Sequence, residues 1–303
     1  KEILAEKLIE LKYEKYFYKL EMPYLYSLLE MQENGSYLNV ELLDDMLIWF
    51  TNETEKAKYE IYRLAEKQFN INSDDQMREI IFGKFQNKPL SYTKKTKKPS
   101  VCSADLQQMP GEFPKQVVYF NNVFKLLSTY ILPFKQLCVD SKIQYRFNNT
   151  VTHTGRLSSS NPNFQNIPTA HGLKYNIRDL IVPPKGHKLL VFDYDQFEYR
   201  LHAHFSQDPV LLEMLNSKRH FHTETAQRLF GSTTSDNLRL AKGVNYGIPY
   251  GEGYKKLASE LDISLNEAKK LILRHEITFP VMHQWRRRME VGAKQNGHIQ
   301  TIC

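Results

Sequence analysis

Residues 188–200 read KLLVFDYDQFEYR. Leu189, Leu190, Val191 and Phe192 form an apolar run of strand length, and Asp193 closes it with a charge. A helical pattern begins at Gln196 and runs to Arg200. An apolar strand that delivers a carboxylate to its exit holds that group on a stiff support, as a hard, geometrically demanding cation such as Mg²⁺ requires. Read alone, Asp193 would serve equally well as a helix cap. The segments on either side favour the metal.

Upstream, residues 154–168 read TGRLSSSNPNFQNIP, almost all turn formers, hydroxyls and amides. Such a stretch is expected to stay out of the core. Arg156, Phe164 and Ile167 among its polar residues point to a ligand-binding loop rather than a linker. Downstream, HFHTETA occupies 220–226 and NLRLAKGVNYGIPYG occupies 237–251. Lys242, Tyr246 and Tyr250 recur every fourth residue, so at about 100° per residue they drift by about 40° a step and share one helix face. Gly243, Asn245 and Gly247 are poor choices for a helix that only packs. Pro249 is expected to end the helix just before Tyr250.

Farther out, residues 2–33 have helical spacing, Asn34-Gly35 signals a turn, and Tyr37–Val40 reads as extended. A long helix follows from about residue 40 to residue 69, with Leu43, Leu47, Phe50, Ala57, Ile61 and Leu64 on its apolar face. Asn72-Ser73-Asp74-Asp75 caps another helix containing Met77, Ile80 and Ile81. Residues 84–100 are polar and basic, an exposed, mobile loop whose Lys94, Lys95, Lys97 and Lys98 could touch phosphates without reading bases. Helix resumes over 119–132.

A length of 303 residues predicts two or three subdomains rather than one core. The net charge of +7 and a pI near 9.0 favour a polyanionic partner. Cys102, Cys138 and Cys303 match neither a zinc spacing nor a disulfide framework, which points to a reducing intracellular compartment. No apolar run has membrane-spanning length, so no membrane partner is expected.

Taken in order, TGRLSSSNPNFQNIP, DYDQFEYR, HFHTETA and LRLAKGVNYGIPYG resemble the polymerase domain of DNA polymerase family A, the bacterial DNA polymerase I type. Weaker similarity runs from about residue 20 through INSDDQ and KLLSTY. The resemblance implies a mixed, helix-rich α/β fold shaped as a right hand. Palm would be 1–40 and 131–205, thumb 41–130 and fingers 206–303. It implies template-directed transfer of a deoxynucleotidyl group from a dNTP to a primer 3′-OH by a monomer bound to primer–template DNA, in a bacterial cytoplasm or a eukaryotic organelle. Two Mg²⁺ ions are implied, about 3.5–4 Å apart as in other two-metal sites.

Residue by residue, Asp193 matches the family's first metal carboxylate, and the Tyr194 backbone carbonyl is a further metal ligand. Gln196 and Glu198 belong to the dNTP site, with Glu198 one or two turns into its helix, where it would exclude a 2′-OH. Lys242 matches the triphosphate contact and proton donor, Tyr246 the base-stacking residue and Tyr250 the support of the templating position. His222 matches a second triphosphate contact. Arg156 would bind the primer-terminal minor groove, Asn163 and Gln165 the DNA backbone, and Lys125, Ser128 and Thr129 also the DNA.

Two departures stand out. Where the family has Arg four residues before the Lys, position 238 is Leu and the Arg is Arg239, rotated about −60° on the helix instead of +40°. The family's His-Asp-Glu segment, which carries the second metal carboxylate, has no counterpart up to Cys303, so the chain reads as truncated before it. Asp195 and Asp208 are the acids that could replace it. An RNA-synthesising cousin is a second reading, opposed by Glu198. An inert primer–template-binding fragment is a third, favoured by the missing acids and opposed by Asp193, Lys242 and His222.

Overall fold

A computed structural model describes residues 2–169, 172–217 and 219–299. The chain divides into two compact units, 1–190 and 191–303. In the first, α1 (Glu2–Glu10), α2 (Glu14–Tyr16) and α3 (Met22–Asn34) occupy the expected helical stretch. Gly35 then turns the chain at φ +58°, where a Cβ would stand 2.5 Å from the Ile143 carbonyl oxygen. After β1 (Ser36–Leu38), the Asn39 side chain accepts from the Leu42 N–H and starts α4 (Val40–Ala65).

α4 is the spine of this unit. Leu43, Met46, Phe50, Ala57, Ile61 and Ala65 are buried at spacings of three, four and seven. The first three join a core with Val123, Leu126, Ile131 and Phe134, and the last three join another with Ile80, Ile81, Val117 and Phe120. Leu47 and Leu64, expected on this face, lie at its half-buried edges. The helix stops four residues earlier than expected, at Glu66 in the left-handed region.

Ser73 caps α5 (Asp74–Arg78) as expected. The basic loop after it is exposed but tied at its base. Lys98 pairs with Asp75 at 2.8 Å, Arg78 donates to the Pro99 carbonyl, and Tyr92 bridges to Pro99. α6 (Ser103–Gln108), α7 (Glu112–Leu126) and α8 (Leu132–Leu137) follow, with π-helical stretches at Phe17–Glu21, Glu79–Lys84 and Leu127–Ile131 and a 3₁₀ turn at Ile177–Leu180. β1 is flanked antiparallel by β2 (Lys142–Ile143) and, on its other side, by Ile181–Val182. β3 (Arg146–Asn148) pairs with β4 (Ser158–Ser160), and we number the Ile181–Val182 strand β5. The polar loop 154–168 is thus partly regular. It is also anchored in the core, contrary to expectation: Ile167 is buried and Phe164 stacks on Phe134 and Tyr145.

The strand expected at 189–192 is absent. The segment is irregular, and Leu190, Val191 and Phe192 are 76, 90 and 88% exposed. Among the described residues no strand pairs with it, so no ladder of backbone hydrogen bonds holds it extended and its backbone is left to water.

In the unit 191–303 the described regular structure is helical: α9 (Phe197–Ser206), α10 (Pro209–Asn216), α11 (Phe221–Phe230), α12 (Ser235–Gly247), α13 (Tyr254–Leu261), α14 (Leu265–Thr278) and α15 (Pro280–Asn296). Tyr199, Leu211, Phe221, Val244, Leu257, Leu271, Phe279 and Met282 share one core. α12 ends at Gly247 and tightens into a 3₁₀ turn, Ile248–Tyr250, around Pro249, as the proline predicts. Gly243 and Gly247 do serve packing. A Cβ on Gly243 would lie 2.4 Å from Leu261, and one on Gly247 2.1 Å from the Glu252 carboxylate.

One buried carboxylate joins two of these helices. Asp208 Oδ1 accepts from the N–H groups of Val210 and Leu211 at the start of α10. Its Oδ2 accepts from Val281 and Met282 at the start of α15, both at 3.0 Å. Asp208 is therefore structural and is not available as a replacement metal ligand. Asp208→Ala orphans the buried N–H groups of Leu211 and Met282 and the half-buried ones of Val210 and Val281; at about 1–3 kcal/mol for each of the two buried groups it should cost about 2–6 kcal/mol. Asp208→Asn keeps one acceptor and should cost less. Chemical denaturation checks the order; a loss near 1 kcal/mol, the usual value for a cap alone, would refute the bridge.

Candidate active site

The chain enters α9 through Gln196, a non-glycine residue in the left-handed region at φ +49°. Arg200 holds this corner, donating to the Asp195 carbonyl at 2.7 Å and pairing with its carboxylate at 3.2 Å. Glu198 therefore lies in the first turn of α9, nearer the entry than expected. Its neighbour Tyr199 points into the core. The Glu198 carboxylate accepts from the hydroxyl of Tyr250, which joins the start of α9 to the end of the 3₁₀ turn after α12.

Tyr194, Gln196, Glu198, His222, Asn245 and Tyr246 line one cavity of about 320 Å³. His222, in the first turn of α11, is buried beneath the exposed Tyr246 ring, with ring centres 5.4 Å apart. Asn245 orients it. The Asn245 amide nitrogen donates to His222 Nδ1 at 2.9 Å and to Thr225 Oγ1 at 3.0 Å, while its oxygen accepts from Tyr199 at 3.4 Å. Burial, aided by His220 and Lys242 and opposed by Asp195, lowers the His222 pKa below its ordinary value. The ring is thus neutral at pH 7 and, with Nδ1 accepting, carries its proton on Nε2. Sequence reasoning missed Asn245 as this orienting group. The signal was a polar residue on the inward side of α12, three positions from Lys242.

Lys242 is exposed on α12, one turn before Tyr246. Arg239 is engaged elsewhere: it pairs with Asp236 at 2.8 Å and donates to the Leu261 carbonyl at 2.5 Å, closing the end of α13. To meet a ligand beside Lys242, its guanidinium must leave both partners. Asp193 is exposed, and no ion pair or hydrogen bond engages its side chain among the described residues. A free carboxylate next to the Tyr194 carbonyl suits a hard cation, but no cluster of three or more His, Cys, Asp or Glu able to hold a metal occurs among the described residues.

The expected nucleic-acid residues lie in the first unit. Lys125 and Thr129 are exposed one turn apart, and the Ser128 hydroxyl donates to the Phe124 carbonyl. Arg156 and Gln165 are exposed. Asn163 is half-buried, and its side-chain oxygen accepts from the Ser159 hydroxyl and the Asn166 N–H. Asn163 shapes its loop with that oxygen and has only its amide nitrogen left for a ligand. Cys102 and Cys138 are free thiols, and Cys303 lies outside the described residues. No described helix is long and apolar enough to cross a membrane.

Residues 40–303 match the model of DNA polymerase family A. The thermostable DNA polymerase I of Thermus filiformis is 35% identical over 99% of this chain and 36% of its own length. DNA polymerase I of Streptococcus pneumoniae is 35% identical over 99% of this chain and 35% of its own. The chain thus spans about a third of the curated relatives it matches. Among solved structures, the POL domain of Pol1 from M. smegmatis, in complex with DNA primer-template and dNTP, superposes with a TM-score of 0.87. Identity is 26%, over 99% of this chain and 54% of that one.

The polar network around His222 makes a direct prediction. Asn245→Ala removes the donor that favours the unprotonated Nδ1, so the His222 titration, followed by NMR, should move up towards the ordinary histidine pKa of about 6.5. An unmoved titration would mean that Asn245 does not set its protonation.

Proposed function

The chain belongs to DNA polymerase family A, and from that premise we propose that it forms the nucleotide-selecting part of a template-directed DNA polymerase. The observation that carries this reading is the convergence of Gln196, Glu198, His222 and Tyr246 on one cavity. Primer–template DNA and a dNTP are the proposed ligands, with residues 1–40 and 131–205 as palm, 41–130 as thumb and 206–303 as fingers.

In this reading Tyr246 stacks on the incoming base, and its exposed ring is available to do so. His222 donates from Nε2 to a phosphate oxygen, held at that angle by Asn245. Lys242 adds a compact positive charge to the triphosphate and can protonate the leaving pyrophosphate. Arg239 joins it only after releasing Asp236 and Leu261. Glu198, fixed by Tyr250, stands against the sugar edge and excludes a 2′-OH. Asp193 and the Tyr194 carbonyl would hold Mg²⁺, which when bound supplies Lewis-acid stabilisation of the transferred phosphoryl group. Two ions need more carboxylates than Asp193. Arg156, Gln165, Asn163, Lys125, Ser128 and Thr129 would position the DNA through its backbone and minor groove.

Asp193→Ala in the intact protein should slow primer extension by about 10²–10³-fold, the scale of losing one electrostatic support of the transition state, with duplex affinity nearly unchanged. Extension at a tenth of the normal rate or better would sink the assignment. Glu198→Ala should narrow the preference for deoxy- over ribonucleotides by about 10-fold or more, read as the ratio of kcat/KM values. An unchanged ratio would rule out the gate.

A further inference from the structure

Where α9, α14 and α15 meet, a second group of ionisable side chains lies outside the proposed nucleotide cavity. His275 is fully buried and His283 is 6% exposed. His275 Nδ1 and His283 Nε2 are 2.9 Å apart, and His283 Nδ1 faces the Glu276 carboxylate at 3.8 Å. His275 Nε2 is buried without a partner, as is His202 Nδ1 on α9. One arrangement of protons leaves the fewest groups unsatisfied. His275 donates from Nδ1 to His283 Nε2, His283 turns its Nδ1–H to Glu276, and His275 Nε2 stays bare.

No good place remains for another proton. On His283 Nε2 it would set two N–H groups against each other. On His275 Nε2 or His202 Nδ1 it would place a donor and a charge at a buried atom with no protein acceptor in reach. The charged groups around the three rings add to this. Arg286 of α15 opposes protonation of all three, and Arg287 opposes that of His283. On the other side, Glu276 and Asp208 favour a proton on His283, and Glu198 favours one on His202. Asp208 already serves four backbone N–H groups.

We propose that His202, His275 and His283 form an acid-labile clasp, which in its neutral state holds α15 against α9 and α14 and on protonation lets α15 go. The sign follows from burial, the largest influence on each ring, which lowers all three pKa values, that of His283 to about 4. A histidine depressed in the folded state contributes stability that is complete above its unfolded pKa of about 6.5 and is lost as pH falls towards the folded value. The clasp also backs the start of α9. Glu198 and His202 are one turn apart on α9, and Trp285 of α15 sets its ring edge-on to His202 at 5.7 Å and parallel to Phe205 at 6.2 Å. Losing α15 would therefore remove the support behind the turn that presents Glu198.

Trp285 makes the clasp measurable. The chain has two tryptophans, so in a Trp49→Phe background the emission comes from Trp285 alone. Urea unfolding followed by that emission should be pH-independent from about pH 8 to about 6.5. Below that, the folding constant should fall by up to about tenfold per pH unit for each histidine that gains a proton. His275→Asn combined with His283→Gln keeps an amide pair in place of the ring pair but cannot titrate, so the slope should drop by up to about two protons. A double variant as stable as the parent at the higher pH and with the parent's slope would overturn the clasp. NMR titration of the unsubstituted chain decides the matter if that variant fails to fold. The folded His283 ring should titrate at about 4 and the His275 ring well below its ordinary value, and ordinary titration of both near 6.5 would overturn the proposal.

Discussion

The four backbone N–H groups that end on the Asp208 carboxylate are the constraint on which the unit 191–303 depends. Two helix starts, α10 and α15, lie more than seventy positions apart and share one buried anion. Each start presents unsatisfied donors and a partial positive charge, and one carboxylate answers both. This fixes where α15 begins. The rest of that helix then lies along α9, bringing Trp285 to Phe205 and His283 to His275.

From α9 the order passes to the cavity. Its first turn holds Glu198 and turns Tyr199 inward, where the hydroxyl of Tyr199 meets Asn245. Asn245 in turn sets the ring of His222. α12 can bring Asn245 and Tyr246 this close because Gly243 and Gly247 admit Leu261 and Glu252 without a Cβ in the way. The glycines that argued against a packing role in the sequence are what allow the packing. Their presence beside a buried Asn marks a helix that is held tightly on one side and open on the other.

Two buried histidine networks in the same unit differ in what they leave exposed. At His222, Asn245, which also donates to Thr225, satisfies the buried side of the ring, and the cavity lies on the other. At His275 and His283, the rings satisfy each other, and one nitrogen of His275 has no partner. The first arrangement leaves one side of the ring to the cavity. The second shuts protons out, and so ties the packing of α15 to pH.

Much of the fold was legible in the sequence because it is helical. The apolar stripe of α4, the cap at Ser73 and the stop at Pro249 each depend on residues within about four positions, where helical hydrogen bonds are made. The residue types of the candidate site were legible too, as was the one-turn spacing of Lys242 and Tyr246. Tertiary structure alone decided the rest. Residues 189–192 look like a strand, but a strand exists only where a neighbour accepts its backbone groups, and none is found among the described residues. Arg239 has a helix position that could face a phosphate, yet Leu261, twenty-two residues on, takes its guanidinium. The bond of Asp208 to the start of α15 and the pairing of His275 with His283 carry no local mark. A buried polar group takes its meaning from partners that the chain brings to it from far along its length, and sequence spacing does not record them.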